Sequence, residues 1–358
     1  MHPIASVLRW ATNEMRRPAS WASPIVALTI VVGTIAWMDA RSEPMPERRF
    51  DGFNVVATPA DPFGSPSADL ALAKAKQLGA SAVAVIPFLW QSNPDSPDLV
   101  RGEDMDDDEL RAAIRQAHAL SLAVLVKPHV WVPQSWAGAV VMHSEADWQQ
   151  WFANYQRELT RIAQVADEEK ADALAIGTEL SQTILVPQWN DLIVKTRAAF
   201  SGRLLYVAHN VDEAEIVQFW DRLDAIGVSL YPPLGGDNDR DFRRAAMRAT
   251  TDRLDRLNVI YRKPVVIAEL GLRSAKGATA KPWESAEERA AIADPALQAD
   301  VLADWLTILD RPTVEGILIW RWFTDPDAGG LTDTDFTVQG KPAERVLQCA
   351  WTRSCDRG

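Results

Sequence analysis

Eight apolar segments recur along the chain, and segments with helical spacing of apolar residues separate them. The apolar segments do not alternate strictly between apolar and polar residues, as strands with one solvent-exposed face do. Continuous apolar runs of this kind are typical of parallel strands covered by helices on the outside. They are GFNVVA (52–57), AVAVIPF (82–88), LAVLVKPHV (122–130), ALAIGTEL (173–180), LLYVAHN (204–210), AIGVSLYP (225–232), PVVIAEL (264–270) and GILIWRW (316–322). The helical segments are 67–79, 107–120, 145–166, 187–200, 213–221, 240–258, 295–309 and one from 342 onward.

This order of strands and helices predicts an α/β protein with a closed (β/α)₈ TIM barrel. A doubly wound sheet is the alternative, but neither a G-x-G-x-x-G sequence nor a Walker sequence follows the first strand. We assign the barrel to residues 50–358 as the catalytic domain. Residues 39–49 are polar with two prolines and are predicted to be a linker.

The N-terminal part is predicted to be a membrane anchor. Residues 18–38 form a run of 21 positions without charge, which is long enough to cross a bilayer once. Arginines precede the run and acids dominate after it, so residues 1–38 are a cytoplasmic N-terminus with a transmembrane helix. The barrel would then face the periplasm or exterior at the inner (plasma) membrane. A cleaved signal peptide is the alternative, although no small-x-small site follows the run.

Two of the predicted strands end on an acid. Glu179 ends the fourth strand and Glu269 the seventh. The carboxyl ends of barrel strands build the active site, so both acids are predicted to face one mouth. Two carboxylates across such a mouth are typical of glycoside hydrolysis, and in its retaining form one is the acid/base and the other the nucleophile. The structural alternative for each is a pair with Lys or Arg.

Other side chains at strand ends fit a sugar-binding cleft. Trp90 follows the second strand, His129 the third, Tyr231 the sixth and Trp320 the eighth. Tyr231 can donate a hydrogen bond to a carboxylate nucleophile, and Trp320 can form a floor under the sugar. Asn210, at the end of the fifth strand, completes this substrate-binding set. Each of them alone is better explained by core or rim packing, but together they would line one cavity.

Composition narrows the partners. Trp accounts for 15 of the 358 residues, and its flat ring suits sugars, although cores and interfaces also use it. The net charge of −12 argues against nucleic acid. We expect no metal or cofactor, because the chain has five His and only two of them, His129 and His209, fall at strand ends. The acidic run EDMDDDE (103–109) lacks the spacing of a calcium loop and suits a helix N-terminus.

Cys349 and Cys355 are the only cysteines, six positions apart near the C-terminus. If this part is exported, a small disulfide loop is predicted. Two free thiols are the alternative.

The chain resembles glycoside hydrolase family 113, a β-mannanase-type group within clan A of retaining (β/α)₈ glycosidases. The resemblance covers about 52–347 and implies that Glu179 is the acid/base and Glu269 the nucleophile. It also implies that Tyr231 contacts the nucleophile and that His129 and Trp283 line the substrate cleft. The stretches that carry it are VIPFLWQSN, LRAAIRQAHALSLAVLVKPHV, ALAIGTELSQT, FWDRLDAIGVSLYPPL, KPVVIAELGLRSAKGATAKPWE and DAGGLTDTDFTVQGKPAERVL.

The sequence departs from the pattern at a few places. Thr178 stands where the wider clan has Asn, Pro232 follows Tyr231 where a second aromatic is expected, and Ile319 and Arg321 flank Trp320. These departures leave the pair of acids intact but bear on mannan specificity. The resulting hypothesis is an anchored retaining hydrolase of a β-linked polysaccharide with a role in exopolysaccharide processing. A non-catalytic carbohydrate-binding or export scaffold, and a transglycosylase, are the alternatives.

Overall fold

Parallel strands close into an eight-stranded barrel, which confirms the predicted architecture. The structure is a computed structural model and describes residues 50–102, 105–286 and 288–355. In chain order the strands are β1 (Gly52–Val56), β2 (Ala82–Val85), β3 (Phe88–Gln91), β4 (Leu99–Arg101), β5 (Ala123–Val126), β6 (His129–Trp131), β7 (Ala173–Thr178), β8 (Arg203–His209), β9 (Ala225–Leu230), β10 (Val265–Leu270) and β11 (Val314–Phe323). The barrel runs β1–β2–β5–β7–β8–β9–β10–β11, and β11 pairs again with β1.

Helices connect successive barrel strands and cover the outside. In chain order they are α1 (Pro66–Gln77), α2 (Asp107–Ala119), α3 (Glu145–Glu168), α4 (Trp189–Ala199), α5 (Asn210–Ala214), α6 (Arg240–Tyr261), α7 (Pro295–Ile308) and α8 (Pro342–Thr352). The described end of the acidic run begins α2 as predicted: Asp106 caps the helix and accepts hydrogen bonds from the Asp108 and Glu109 N–H groups.

The apolar core has two layers because strand residues alternate between the lumen and the helices. The lumen is filled mainly by small residues, including the fully buried Ala84, Ala175 and Ala268. The branched neighbours, such as Val83 and Val124, face outward and pack under the helices. The barrel is therefore a filled core, and the site has to lie at its mouth.

Two predicted strands are each divided in the structure. The segment 82–88 splits into β2 and β3, and 122–130 splits into β5 and β6. Pro87 and Pro128 lie at the two breaks, since proline lacks the N–H that a continuing ladder needs. The second halves form a separate three-stranded sheet at the mouth, in the order β4–β3–β6.

The helix predicted for 213–221 is wrong in its extent. The chain forms the short α5 and then a 3₁₀ turn at Trp220–Arg222. The buried Trp220 indole donates to the Ala214 carbonyl at 2.9 Å, and this bond satisfies an oxygen at the end of α5.

The two ends of the chain bear on the remaining predictions. Cys349 and Cys355 form a disulfide, as predicted. In the described residues no helix is long and apolar enough to span a bilayer. The predicted span 18–38 and linker 39–49 lie outside the described residues.

Candidate active site

The two acids follow or end barrel strands that point the same way. Glu269 lies in β10, the seventh barrel strand, and Glu179 directly follows β7, the fourth. Glu179 has a left-handed backbone, with φ of 55°, and its N–H donates to the Val207 carbonyl at 2.7 Å. A non-glycine residue in this region is uncommon and marks a position whose side chain is aimed by its surroundings.

Neighbouring strands place both acids at the same end of the barrel. In the strand register His209 is level with Ser229, and Ser229 is level with Glu269. Glu179 is joined to this row because its Oε1 lies 3.1 Å from His209 Nδ1. Burial is the main cause that raises the pKa of the Tyr231 phenol, and the charges of both Glu269 and Glu179 raise it further. The two acids therefore share a row of strand ends and a common neighbour, Tyr231.

Glu269 is enclosed and held by two donors. Its Oε1 pairs with the Lys127 ammonium, and its Oε2 accepts a hydrogen bond from the Tyr231 hydroxyl at 3.0 Å. The side chains of Lys127 and Glu269 are 0% and 6% exposed, so little water competes for either group. Because the pKa of Tyr231 is raised well above its ordinary value, the phenol remains a donor. The carboxylate is thereby fixed in one orientation with its charge compensated.

Glu179 has a different environment. Burial alone would raise the pKa of this carboxyl, but the hydrogen bond and charge of His209 outweigh it and lower the pKa to about 2. The free Glu179 is therefore an ionised carboxylate.

Asn210 fixes the ring of His209. Its side-chain oxygen accepts from the Tyr231 N–H at 2.8 Å, so its amide nitrogen faces His209 Nε2 at 3.1 Å. Burial lowers and the contact with Glu179 raises the pKa of His209, with a net rise. The Asn210 N–H opposes a second proton on Nε2, whereas the Glu179 carboxylate favours it, and in either form the ring donates to Glu179 through Nδ1.

Trp320 lies on β11 beside the nucleophile candidate. It is partly exposed, and the Lys127 Nζ lies 5.2 Å from the centre of its ring. The Arg321 guanidinium lies 5.9 Å from the same ring and pairs with Asp335. The two cations hold the indole face in place.

The sequence of the whole barrel identifies the class of protein. The sequence model of Glycoside Hydrolase Family 113 matches residues 53–341. The chain belongs to glycoside hydrolase family 113. Among curated proteins none matches the sequence.

Solved structures of family 113 enzymes have the same fold. A β-mannanase from Alicyclobacillus acidocaldarius is 23% identical, with a TM-score of 0.76 over 85% of this chain and 97% of that chain. A β-1,4-mannanase is 25% identical, with a TM-score of 0.75 over 85% of this chain and 99% of that chain. A β-glucuronidase from Ruminococcus gnavus is 13% identical, with a TM-score of 0.56 over 85% of this chain and 49% of that chain, and it shares the fold alone.

The other predicted site residues of this family 113 hydrolase differ in how far their side chains are buried. His129 begins β6, and burial lowers the pKa of its imidazole. Trp90 on β3 is 36% exposed, and Trp283, in the segment after β10, is 47% exposed. Thr178, where the clan has Asn, donates its hydroxyl to the Pro128 carbonyl at 2.9 Å. In the described residues no cluster of three or more His, Cys, Asp or Glu could hold a metal ion.

Sequence reasoning missed two residues of the hydrolase that contact the acids. Lys127 is a lone cation at the end of the apolar third strand, and the logic applied to Glu179 and Glu269 would have found it. His209 was noted at a strand end but was weighed only as a metal ligand. Trp136 also escaped notice, although its ring centre lies 4.9 Å from that of His209.

Proposed function

We propose that the protein is a retaining hydrolase of a β-1,4-linked mannan-type polysaccharide, with Glu269 as nucleophile and Glu179 as acid/base. The observation that carries this proposal is the different support of two acids on one cleft: Glu269 between Lys127 and Tyr231, and Glu179 against His209. An ion pair with a purely structural role needs neither a second acid at the same end of the barrel nor a partly exposed indole, such as Trp320, beside it. The mannan class is proposed because the similar solved structures are described as β-mannanases.

In the first step the Glu269 carboxylate attacks the anomeric carbon as the glycosidic C–O bond breaks. The leaving oxygen takes a proton from the Glu179 carboxyl, and a glycosyl ester of Glu269 remains. Because His209 favours the ionised form of Glu179, this step requires a proton on that carboxyl in the substrate complex. Bound substrate that displaces water from Glu179 raises the pKa of this carboxyl and so favours the protonated form.

In the second step water attacks the same carbon from the side of Glu179. Glu179 takes one proton from the water, the ester C–O bond breaks, and Glu269 leaves as a carboxylate. Lys127 stabilises the charge that returns to Glu269, and the Tyr231 hydroxyl donates to it. Two inversions give a product with the configuration of the substrate.

The test is a panel of β-linked polysaccharides incubated with wild type, Glu179→Gln and Glu269→Gln. We expect both variants to fold, to bind and to lose hydrolysis by at least about 10⁴-fold, since each removes a reacting group. Glu145→Gln, on an exposed part of α3, is the matched control and should hydrolyse like wild type. Unaltered turnover in either active-site variant contradicts the assignment.

Azide separates the two roles. With an activated aryl β-mannoside, whose aryl group leaves without a proton, a Glu179→Gly variant should recover turnover in azide and give a glycosyl azide of retained configuration, because azide attacks the ester without needing a base. An azide product of inverted configuration would instead assign the nucleophile to Glu179. Excess acceptor sugar in the wild-type reaction distinguishes hydrolysis from glycosyl transfer by the products.

We further propose that residues 18–38 anchor the enzyme in the inner membrane with the barrel facing outward, where it acts on an exopolysaccharide. The support is the uncharged run of 21 residues behind a basic N-terminus. Cell fractionation tests it: the full-length protein should sediment with membranes and resist salt extraction. Recovery of a shortened protein in the medium would establish a cleaved signal peptide instead.

A further inference from the structure

The small sheet at the mouth has one buried and one aromatic face. Leu89 on β3 and Val130 on β6 are 0% and 2% exposed. Their neighbours point the other way, because side chains alternate along a strand. The register sets Phe88 beside His129 and Trp90 beside Trp131. Four rings thus share the outer face of two paired strands.

These rings form a connected surface. The ring centres of Trp90 and Trp131 lie 6.0 Å apart, as do those of Phe88 and Trp131, and those of Phe88 and His129 lie 6.2 Å apart. Trp131 is 48% exposed and Trp90 is 36% exposed. Adjacent exposed indoles on a sheet mark a binding surface rather than a core.

The surface begins at the catalytic cleft. The charges of both Glu179 and Glu269 act on the imidazole of His129 and favour its protonated form, against the larger effect of burial. Trp131 lies two residues further along the same strand, which is about 6.6 Å at ~3.3 Å per residue. The outer pair of indoles therefore continues the ring surface that begins at His129, the ring on which both acids act.

The outer pair also borders a cavity of about 490 Å³. Its walls are largely apolar, and the Glu109 carboxylate lies at its edge, where it accepts the Phe63 N–H at 3.0 Å. A sugar ring presents apolar C–H faces and polar hydroxyl edges, which match indole faces beside a carboxylate. The lining residues are Ala57, Thr58, Pro59, Pro62, Phe88, Trp90, Glu109 and Trp131.

The sheet that carries the indoles is tied down from behind. The buried Gln91 on β3 accepts from the Trp151 indole at 2.8 Å and donates to the Asn93 carbonyl at 2.8 Å. These bonds hold β3 against α3 before any ligand binds. A preformed surface costs little ordering when a ligand binds.

We propose that Trp90 and Trp131 form a platform that binds a sugar unit of the polysaccharide beyond the unit attacked by Glu269. This inference rests on the proposed function, since it assigns a second part of the same chain of sugars. It makes the enzyme select for chain length, because only a chain that spans both places gains the platform contact.

The test compares a mannan hexasaccharide with an activated aryl β-mannoside as substrates for wild type, Trp90→Ala and Trp131→Ala. The ratio of kcat/KM for the hexasaccharide to that for the aryl mannoside should fall about tenfold in each variant. Phe242→Ala removes a still more exposed ring, on α6, and should leave the ratio unaltered. A wild-type ratio in both tryptophan variants overturns the platform.

A binding measurement separates this inference from the proposed function. Glu269→Gln should bind the hexasaccharide about tenfold more tightly than Glu269→Gln/Trp131→Ala in calorimetry. If wild type hydrolyses nothing but this difference remains, the proposed function fails and the platform stands. If wild type hydrolyses mannan but removal of either indole changes neither the kcat/KM ratio nor the binding, the platform proposal is wrong.

Discussion

Glu269 and Glu179 lie at the same end of the barrel, but their surroundings differ in burial and in charge. Glu269 lies within a strand, between a buried lysine and a tyrosine, and its charge is compensated from both sides. Glu179 lies just after a strand, its side chain is twice as exposed, and a histidine ring is its donor. A nucleophile has to remain a carboxylate in one place, whereas an acid/base has to gain and lose a proton in every turnover. The difference between the two sides matches the difference between the two tasks.

Lys127→Met is expected to have the largest effect on this comparison. Removing the cation leaves Glu269 buried without its counter-charge, so the free energy of unfolding should fall by about 3–5 kcal/mol. kcat should fall about 10²–10³-fold, because the charge that returns to Glu269 in the second step is no longer stabilised. Chemical denaturation and steady-state kinetics measure the two effects.

A double variant checks the cause of the Lys127 effect. Lys127→Met/Glu269→Gln has no lone buried charge, so it should recover most of the lost stability. If it is as unstable as Lys127→Met, the loss comes from packing and the ion pair is unimportant.

Tyr231→Phe should have an intermediate effect. It removes the 3.0 Å hydrogen bond to Glu269 Oε2 and leaves the ring in place. A hydrogen bond to a charged group contributes about 1.5–3 kcal/mol, so kcat should fall about 10- to 100-fold. Tyr261→Phe, at the end of α6, is the matched control. A Tyr231→Phe enzyme with wild-type kcat would show that Lys127 alone supports the nucleophile.

His209→Ala should have the smallest effect on rate and the clearest effect on pH. His209 lowers the pKa of Glu179 to about 2, so the acid form is lost as pH rises through that low value. Without the donor, burial raises the pKa, and the basic limb of kcat/KM should move to higher pH by about one unit or more.

The pH profile of His209→Ala also tests the protonation state of the ring. His143→Ala, an exposed histidine, should leave the profile unaltered. A limb that moves to lower pH in His209→Ala would mean that His209 itself carries the catalytic proton, and the assignment of Glu179 as the acid would be wrong.

Much of the barrel could be predicted because each strand is a local apolar run that ends in a turn or a polar residue. Glu179 and Glu269 were found by the same local signal, an acid where a buried strand ends. Lys127 was missed because it precedes Pro128 in a segment interpreted as one continuous strand. Once the proline breaks that strand, the lysine lies at the barrel mouth.

The small sheet could not be predicted from local patterns. It depends on the pairing of Phe88 with His129 and of Trp90 with Trp131, and these partners are about forty residues apart. Single segments contain no information on such a register. The link from Glu179 through His209 and Asn210 to Tyr231 likewise joins three strands and exists only after they are assembled.

The left-handed backbone at Glu179 has a consequence for engineering. Glycine adopts this conformation without the steric penalty that a β-carbon brings, whereas alanine retains the penalty. A designer who wants to couple activated sugar donors to nucleophiles that need no base can therefore replace the proposed acid/base with glycine and relax the backbone at the same time. Position 269 lies within a paired strand, where glycine brings no such gain. Glycine is therefore a better replacement at position 179 than at position 269.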